Sequence, residues 1–180
     1  MTRVALTYAD YEALPADGRR YEIHEGELSV TPAPGLRHQT ISRNLFVALH
    51  AHVSARGLGE VWYAPVDVIL SDISIVQPDI IYVESAGLGV TSQRGLEGPP
   101  TLAVEILSPS TTLIDRVTKP RLYARYGVPY FWLVDPEGRV IEAFVLGSGG
   151  YSLAARVSGR EAVGLPPFAE LGLVPDSLWL

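Results

Sequence analysis

The pattern of helical and extended stretches along this 180-residue chain predicts a mixed α/β (α+β) fold, with one β-sheet flanked by helices. Three observations carry that prediction. Leu36–Arg56 places Ile41, Leu45, Ala48, Leu49 and Val53 at helical spacing, with Gly57 ready to cap the end. "PYFWLVDP" (129–136) is a near-continuous apolar run of the kind buried on both faces of a sheet. Between and around these, short β-branched runs are punctuated by Gly, Pro and Asp.

The elements follow in order. Thr7 suits the N-cap of a short helix that Pro15 closes. "RRYEIHEGELSV" reads as two strands around a Glu25-Gly26 turn, an N-terminal β-hairpin. After the helix of Leu36–Arg56, "EVWYAPVDVIL" and "IVQPDIIYVE" read as two strands with Ser71-Asp72 between them. "SAGLGVTSQRGLEGPP" reads as a surface loop rich in Gly and Pro. "LAVEILS" is the next strand, and a helical stretch follows it to Gly127. After "PYFWLVDP", "GRVIEAFVL" and "GYSLAARV" form a hairpin around "GSGG". The length suits one domain over residues 1–180, and no internal repeat or low-complexity segment interrupts it.

Composition narrows the function. With 47% hydrophobic and 19% charged residues, the chain is globular rather than disordered. No apolar run reaches the roughly 18 residues of a membrane span, and "MTRVALTYADYEALP" lacks the apolar core of a signal peptide. There are no cysteines, so disulfides, thiol nucleophiles and thiolate metal sites are excluded. A cytoplasmic setting and no membrane partner are expected. The net charge of −6 argues against nonspecific coating of nucleic acid, while leaving room for a local basic groove. Of the 14 basic residues only Lys119 is a lysine, in a chain that uses Arg everywhere else. Lys is a compact point charge whose pKa moves with its surroundings, so this one draws notice.

Two carboxylates stand among apolar neighbours on strands: Asp79 in "QPDIIYV" and Glu105 in "LAVEILS". An ionised carboxylate in a packed interior costs several kcal/mol unless it is compensated. The two lie 26 positions apart, too far for a helical pair, but adjacent strands can bring them together. Facing carboxylates repel, and a shared hard cation such as Mg²⁺, or Mn²⁺ in its place, resolves the repulsion. Asp115, Lys119 and Tyr123 are spaced by four and fall on one stripe if helical, which would let Lys119 orient or deprotonate a water. Pro120 complicates this: either the helix starts at Thr118 or it is kinked there.

Taken together, "YEIHEGEL", His38 ahead of a helix, "QPDIIYV", "LAVEILSPST", the D…K…Y stripe and "YGVPYFWLVDP" resemble the Uma-two family of "putative restriction endonucleases". That family lies within the PD-(D/E)xK nuclease superfamily. The resemblance runs from about Tyr8 to about Val145. It implies a restriction-endonuclease-like core and Mg²⁺-dependent hydrolysis of phosphodiester bonds in DNA. By position it makes Asp79 and Glu105 the metal-binding acids and Lys119 the residue that positions or activates water. Glu22 is a further acid that reaches the metal, and His38 a candidate for metal, phosphate or water contact. The chain departs from the superfamily where a lysine is expected two residues after the second acid: Leu107 stands there, so Lys119 takes over from the following helix.

Plainer readings cover other residues. His24 shares the outward face of its strand with Glu22 and reads as surface. His50 and His52 read as structural, Tyr123 and Tyr126 as packing, and Asp135 as part of a turn. Asp115 reads as a residue that orients Lys119. Two competing functions remain: a catalytically inactive nuclease-fold module that binds nucleic acid or protein, and a two-carboxylate glycosidase. The glycosidase leaves Lys119 without a task. A homodimer is expected, because cutting both strands of a duplex with one site per chain needs two copies.

Overall fold

The computed structural model describes residues 4–110 and 112–179. The N-terminal part contains helix α1 (Tyr8–Glu12), strands β1 (Arg20–His24) and β2 (Glu27–Thr31), and helix α2 (Leu36–Arg56). Strands β3 (Gly59–Tyr63), β4 (Val68–Ser71), β5 (Ser74–Val76) and β6 (Ile80–Glu84) come next. A 3₁₀ turn (Ser85–Val90) and the minimal strands β7 (Thr91–Ser92) and β8 (Gly95–Leu96) lead to β9 (Leu102–Ile106). A π-helical turn (Ile114–Thr118) runs into α3 (Lys119–Arg125). Strands β10 (Tyr130–Asp135), β11 (Val140–Gly147), β12 (Gly150–Val157), β13 (Val163–Leu165) and β14 (Phe168–Leu173), then a 3₁₀ turn (Pro175–Trp179), complete the order.

The main sheet runs β12-β11-β10-β9-β6-β3. It is mixed: β9 and β10 are parallel, and the other neighbours are antiparallel. A second sheet runs β2-β1-β5-β4-β8-β7, and β13-β14 form a small ribbon. The central place of β10, inferred from its unbroken apolar run, is realised between β9 and β11. No helix among the described residues is long and apolar enough to cross a membrane.

Period-2 alternation sorts the main sheet into two faces. Ile80, Tyr82, Leu102, Val104 and Ile106 point one way and pack with Ile41, Leu45, Leu49 and Val53 of α2. Ile81, Val83, Ala103 and Leu107 point the other way and pack with Leu122 and Tyr123 of α3. Each fully buried aliphatic side chain in these layers contributes about 1.5–3 kcal/mol. The N-terminal hairpin turns on Glu25 (φ 53°) and Gly26 (φ 82°), both left-handed as a two-residue turn requires. A Cβ on Gly26 would meet the Ala5 side chain at 2.5 Å, so glycine is needed there for space as well.

Two readings of the sequence are corrected here. "EVWYAPVDVIL" and "IVQPDIIYVE" are four strands, not two. Proline lacks the N–H a sheet needs, and the chain leaves the main sheet at Ala64-Pro65 and returns to it at Pro78. Between those points β4 and β5 form a hairpin in the second sheet. The Gly/Pro-rich segment is not all loop, because its 3₁₀ turn and short strands carry Leu96 into the core.

Candidate active site

Asp79 sits where the chain re-enters the main sheet, one residue before β6. Its N–H donates to the Val104 carbonyl (3.0 Å), and its Oδ2 accepts the Ile106 N–H (2.8 Å). The carboxylate is thereby bonded into the backbone of β9, the strand that carries Glu105. By alternation Asp79 falls with Ile81 and Val83, and Glu105 with Ala103 and Leu107, so both acids belong to the α3 face. Adjacent strands bring the two acids together, as the sequence pattern allowed.

Glu22 comes from β1 in the second sheet. Its Oε1 accepts the Gln77 N–H (2.7 Å), which fixes it beside the strand re-entry. The π turn and α3 then close over the acids. Asp115 and Lys119, four apart, form an ion pair at 3.6 Å, and Lys119 Nζ lies 3.0 Å from Glu105 Oε2 and 3.1 Å from Glu22 Oε1. Tyr123, four further on, donates its hydroxyl to Glu105 Oε1. Pro120 does not break this helix, which starts at Lys119 with Thr118 as its N-cap, one of the two readings the sequence allowed. It occupies the first turn of α3, where a missing N–H costs little, while the π turn before it keeps the backbone helical through Thr118. The stripe of Asp115, Lys119 and Tyr123 is therefore real.

Glu22, Asp79, Glu105, Asp115 and Lys119 are each at most 4% exposed. All five line a cavity of about 160 Å³, with Arg20 and His38 on its wall. Leu107, at the superfamily's usual lysine position, is packed in the core.

The electrostatics are unbalanced. Four carboxylates face two permanent cations, Lys119 and Arg20, so with neutral histidines the cluster carries a surplus of two negative charges. Burial pushes the Glu22 and Asp79 carboxyls up, but their partners outweigh it and hold both below the usual carboxylate range. Those partners are Lys119, His24 and Arg20 for Glu22, and His38, Arg20 and Lys119 for Asp79. At Glu105 the balance goes the other way. Burial and the charges of Asp115, Asp79 and Glu22 push its carboxyl well up against the pull of Lys119. Burial also opposes the Lys119 ammonium, but Glu105, Glu22 and Asp115 outweigh it and raise its pKa above that of a free lysine.

The residues fit a hard divalent cation. The donors are carboxylate oxygens, the surplus charge is two, and His38 Nδ1 is buried without a hydrogen-bond partner. Among the described residues no group of three His, Asp or Glu side chains is placed to hold such an ion, and the Lys119 ammonium lies within 3.6 Å of Glu22, Glu105 and Asp115.

Some placements differ from what the sequence suggested. His24 is not a surface residue: it is 8% exposed, and its Nε2 lies 3.2 Å from Glu22 Oε2. The outward face of β1 is covered by the segment around Lys119, so both Glu22 and His24 are internal. Tyr123 packs, as expected, but also bonds Glu105. His38 Nε2 lies 3.1 Å from Asp79 Oδ2. Arg20 was missed. Its Nη1 reaches Asp79 Oδ1 (3.0 Å) and its Nη2 the Gln77 carbonyl (2.7 Å). In a chain with 13 arginines, nothing in the sequence set this one apart.

With this geometry in hand, the comparisons with known proteins are specific. Over 97% of both chains, with a TM-score of 0.79 and 20% identity, the fold matches a crystal structure of a "putative nuclease belonging to DUF820" from Anabaena variabilis ATCC 29413. The two chains thus share a fold. The family model described as "Uma2: Putative restriction endonuclease" matches residues 8–176, and the chain belongs to that family. No curated protein matches it.

Proposed function

We propose that this protein is a Mg²⁺-dependent endonuclease that hydrolyses phosphodiester bonds of DNA, with residues 1–180 acting as one domain. The observation that carries the reading is the gathering of Glu22, Asp79, Glu105 and Lys119 into one buried cavity from four separate parts of the chain. Asp79 and Glu105 would hold the ion, with Glu22 and His38 as further ligands. When bound, the ion would polarise a phosphoryl oxygen as a Lewis acid.

The chain's own groups supply the rest. Asp79 is held in place by the Ile106 N–H and Arg20. Glu105 is held by Tyr123 on one oxygen and Lys119 on the other. Because three carboxylates keep Lys119 protonated, its role is to orient the attacking water and offset negative charge in the transition state. A lysine base would need a depressed pKa, and this one is raised.

The test is plasmid cleavage with Mg²⁺ or Mn²⁺. Asp79→Ala and Lys119→Ala should each lower the rate by at least about a hundredfold, the scale of losing one charge-stabilising group. Metal-dependent cleavage retained by both variants would place the activity elsewhere. Stoichiometric Mn²⁺ binding without cleavage would favour the inactive module. Cleavage of both strands further implies a homodimer, and a purely monomeric protein by light scattering would remove that part of the reading.

A further inference from the structure

The acid-lined cavity does not end at Asp79. A second cavity of about 330 Å³ continues from it, and the two share Arg20, His38 and Asp79 in their walls. Their charges differ. The first contains Glu22, Glu105 and Asp115. The second has Asp79 as the only acid among its lining residues, already spanned by Arg20 and His38, and adds Arg19, Gln39 and Ser42. One trough therefore has an acid-rich half and a half whose single acid is already paired.

Arg20 stands at the junction. A guanidinium has five N–H donors, and the bonds to Asp79 and Gln77 engage two of them. The plane is fixed by those two bonds, and the remaining donors belong to a side chain that lines both cavities. A fixed planar fork of donors suits a phosphate oxyanion. Arg19, at the outer wall, is paired with Asp17 and lies over the Tyr21 ring. The volume falls at the lower end of the roughly 300–1,000 Å³ usual for small-ligand sites.

We propose that the second cavity is the seat of the nucleotide next to the scissile bond, and that Arg20 binds its phosphate. The inference rests on the nuclease reading and adds the direction in which the strand leaves the acid cluster. Gln39 and Ser42, one turn apart on α2, line the same cavity as Arg20.

The experiment measures binding of a fluorescein-labelled single-stranded DNA oligonucleotide by anisotropy, in EDTA, to the full-length protein. Gln39→Glu puts a negative charge into the second cavity from an exposed side chain, without touching the acid cluster. It should weaken binding about tenfold at low salt, as like charges do across an interface. Arg20→Gln should lower the slope of log affinity against log salt by about 1, the signature of one lost phosphate contact. Arg121→Glu, on the separate surface cavity beside β2, changes the net charge by more and should leave binding nearly unchanged. Equal binding by wild type and Gln39→Glu, or a larger loss in Arg121→Glu, would overturn the proposal. If wild type still cuts plasmid DNA in those cases, only the subsite is lost. If wild type neither binds nor cuts DNA, the nuclease reading falls with it.

Discussion

Helices α2 and α3 cover opposite faces of the same sheet with opposite chemistry. Apart from His38, Gln39 and Ser42 in its first two turns, which line the two cavities, the contact under α2 is dry: Ile41, Leu45, Leu49 and Val53 meet Val104, Ile106 and Trp132. Under α3 the same strand β9 turns Glu105 inward between Ala103 and Leu107, and the helix answers with Lys119 and Tyr123. The dry face is a sum of nearly independent burials, each stabilising whatever its neighbours do. The wet face holds only as a set. Every carboxylate in it is tolerable because of a partner, and one carboxylate, Glu105, is left under-compensated. That is where stability has been given up, and such places coincide with function more often than chance allows.

The largest effect should come from removing the cation of the set. Lys119→Ala leaves Glu22, Glu105 and Asp115 buried with no ammonium, and breaking a buried pair in this way costs about 3–5 kcal/mol. Urea unfolding should show that loss near neutral pH, and it should shrink as acid protonates the stranded carboxylates. Leu45→Ala on the dry face should cost a comparable ~2–5 kcal/mol, with no such pH dependence. If the two losses respond alike to pH, the distinction between the faces is wrong.

The next prediction concerns what relieves Glu105. Its carboxyl is raised in the folded state, so its contribution to stability is present at low pH and is lost as pH rises through the folded value. Glu22 and Asp79 are depressed, so their contribution is present above the usual carboxylate range and is lost as pH falls below it. The metal-free protein should therefore be most stable in mild acid. If the proposed ion binds at Glu105, Mg²⁺ would compete with the proton there and raise Tm more at about pH 8 than at about pH 5.5. At a hundred times its Kd the ligand supplies about 2.7 kcal/mol. An equal Mg²⁺ shift at both pH values, in differential scanning calorimetry, would mean the ion binds away from Glu105.

The same contrast explains what could be read in the sequence. The dry face announces itself through periodicity: the stripe of α2 and the unbroken run of β10 have no other physical explanation. The acids were legible for a related reason, since Asp79 and Glu105 interrupt apolar strands where a charge is anomalous. Lys119 was legible as the only lysine. Arg20 and His24 were not. Arg20 begins a strand and is one arginine among many, and His24 obeys an outward alternation that holds until another segment covers it. Burial by a distant segment leaves no trace in local pattern. The division of two apolar runs into four strands shared between two sheets was hidden for the same reason, although Pro65 and Pro78 mark the breaks.

Tyr123 gives the finest test, because it belongs to both descriptions. It is fully buried against Phe131 like any core aromatic, and its hydroxyl serves Glu105. Tyr123→Phe keeps the ring and removes only the donor. Packing alone would leave stability nearly unchanged. A donor that satisfies a buried carboxylate oxygen should cost about 1–3 kcal/mol, and the cost should vanish in the background of Glu105→Leu, where no oxygen is left to accept the hydroxyl. A double-mutant cycle measures that coupling directly. A coupling energy near zero would return Tyr123 to the dry core, and would leave Lys119 as the one side chain on α3 that answers Glu105.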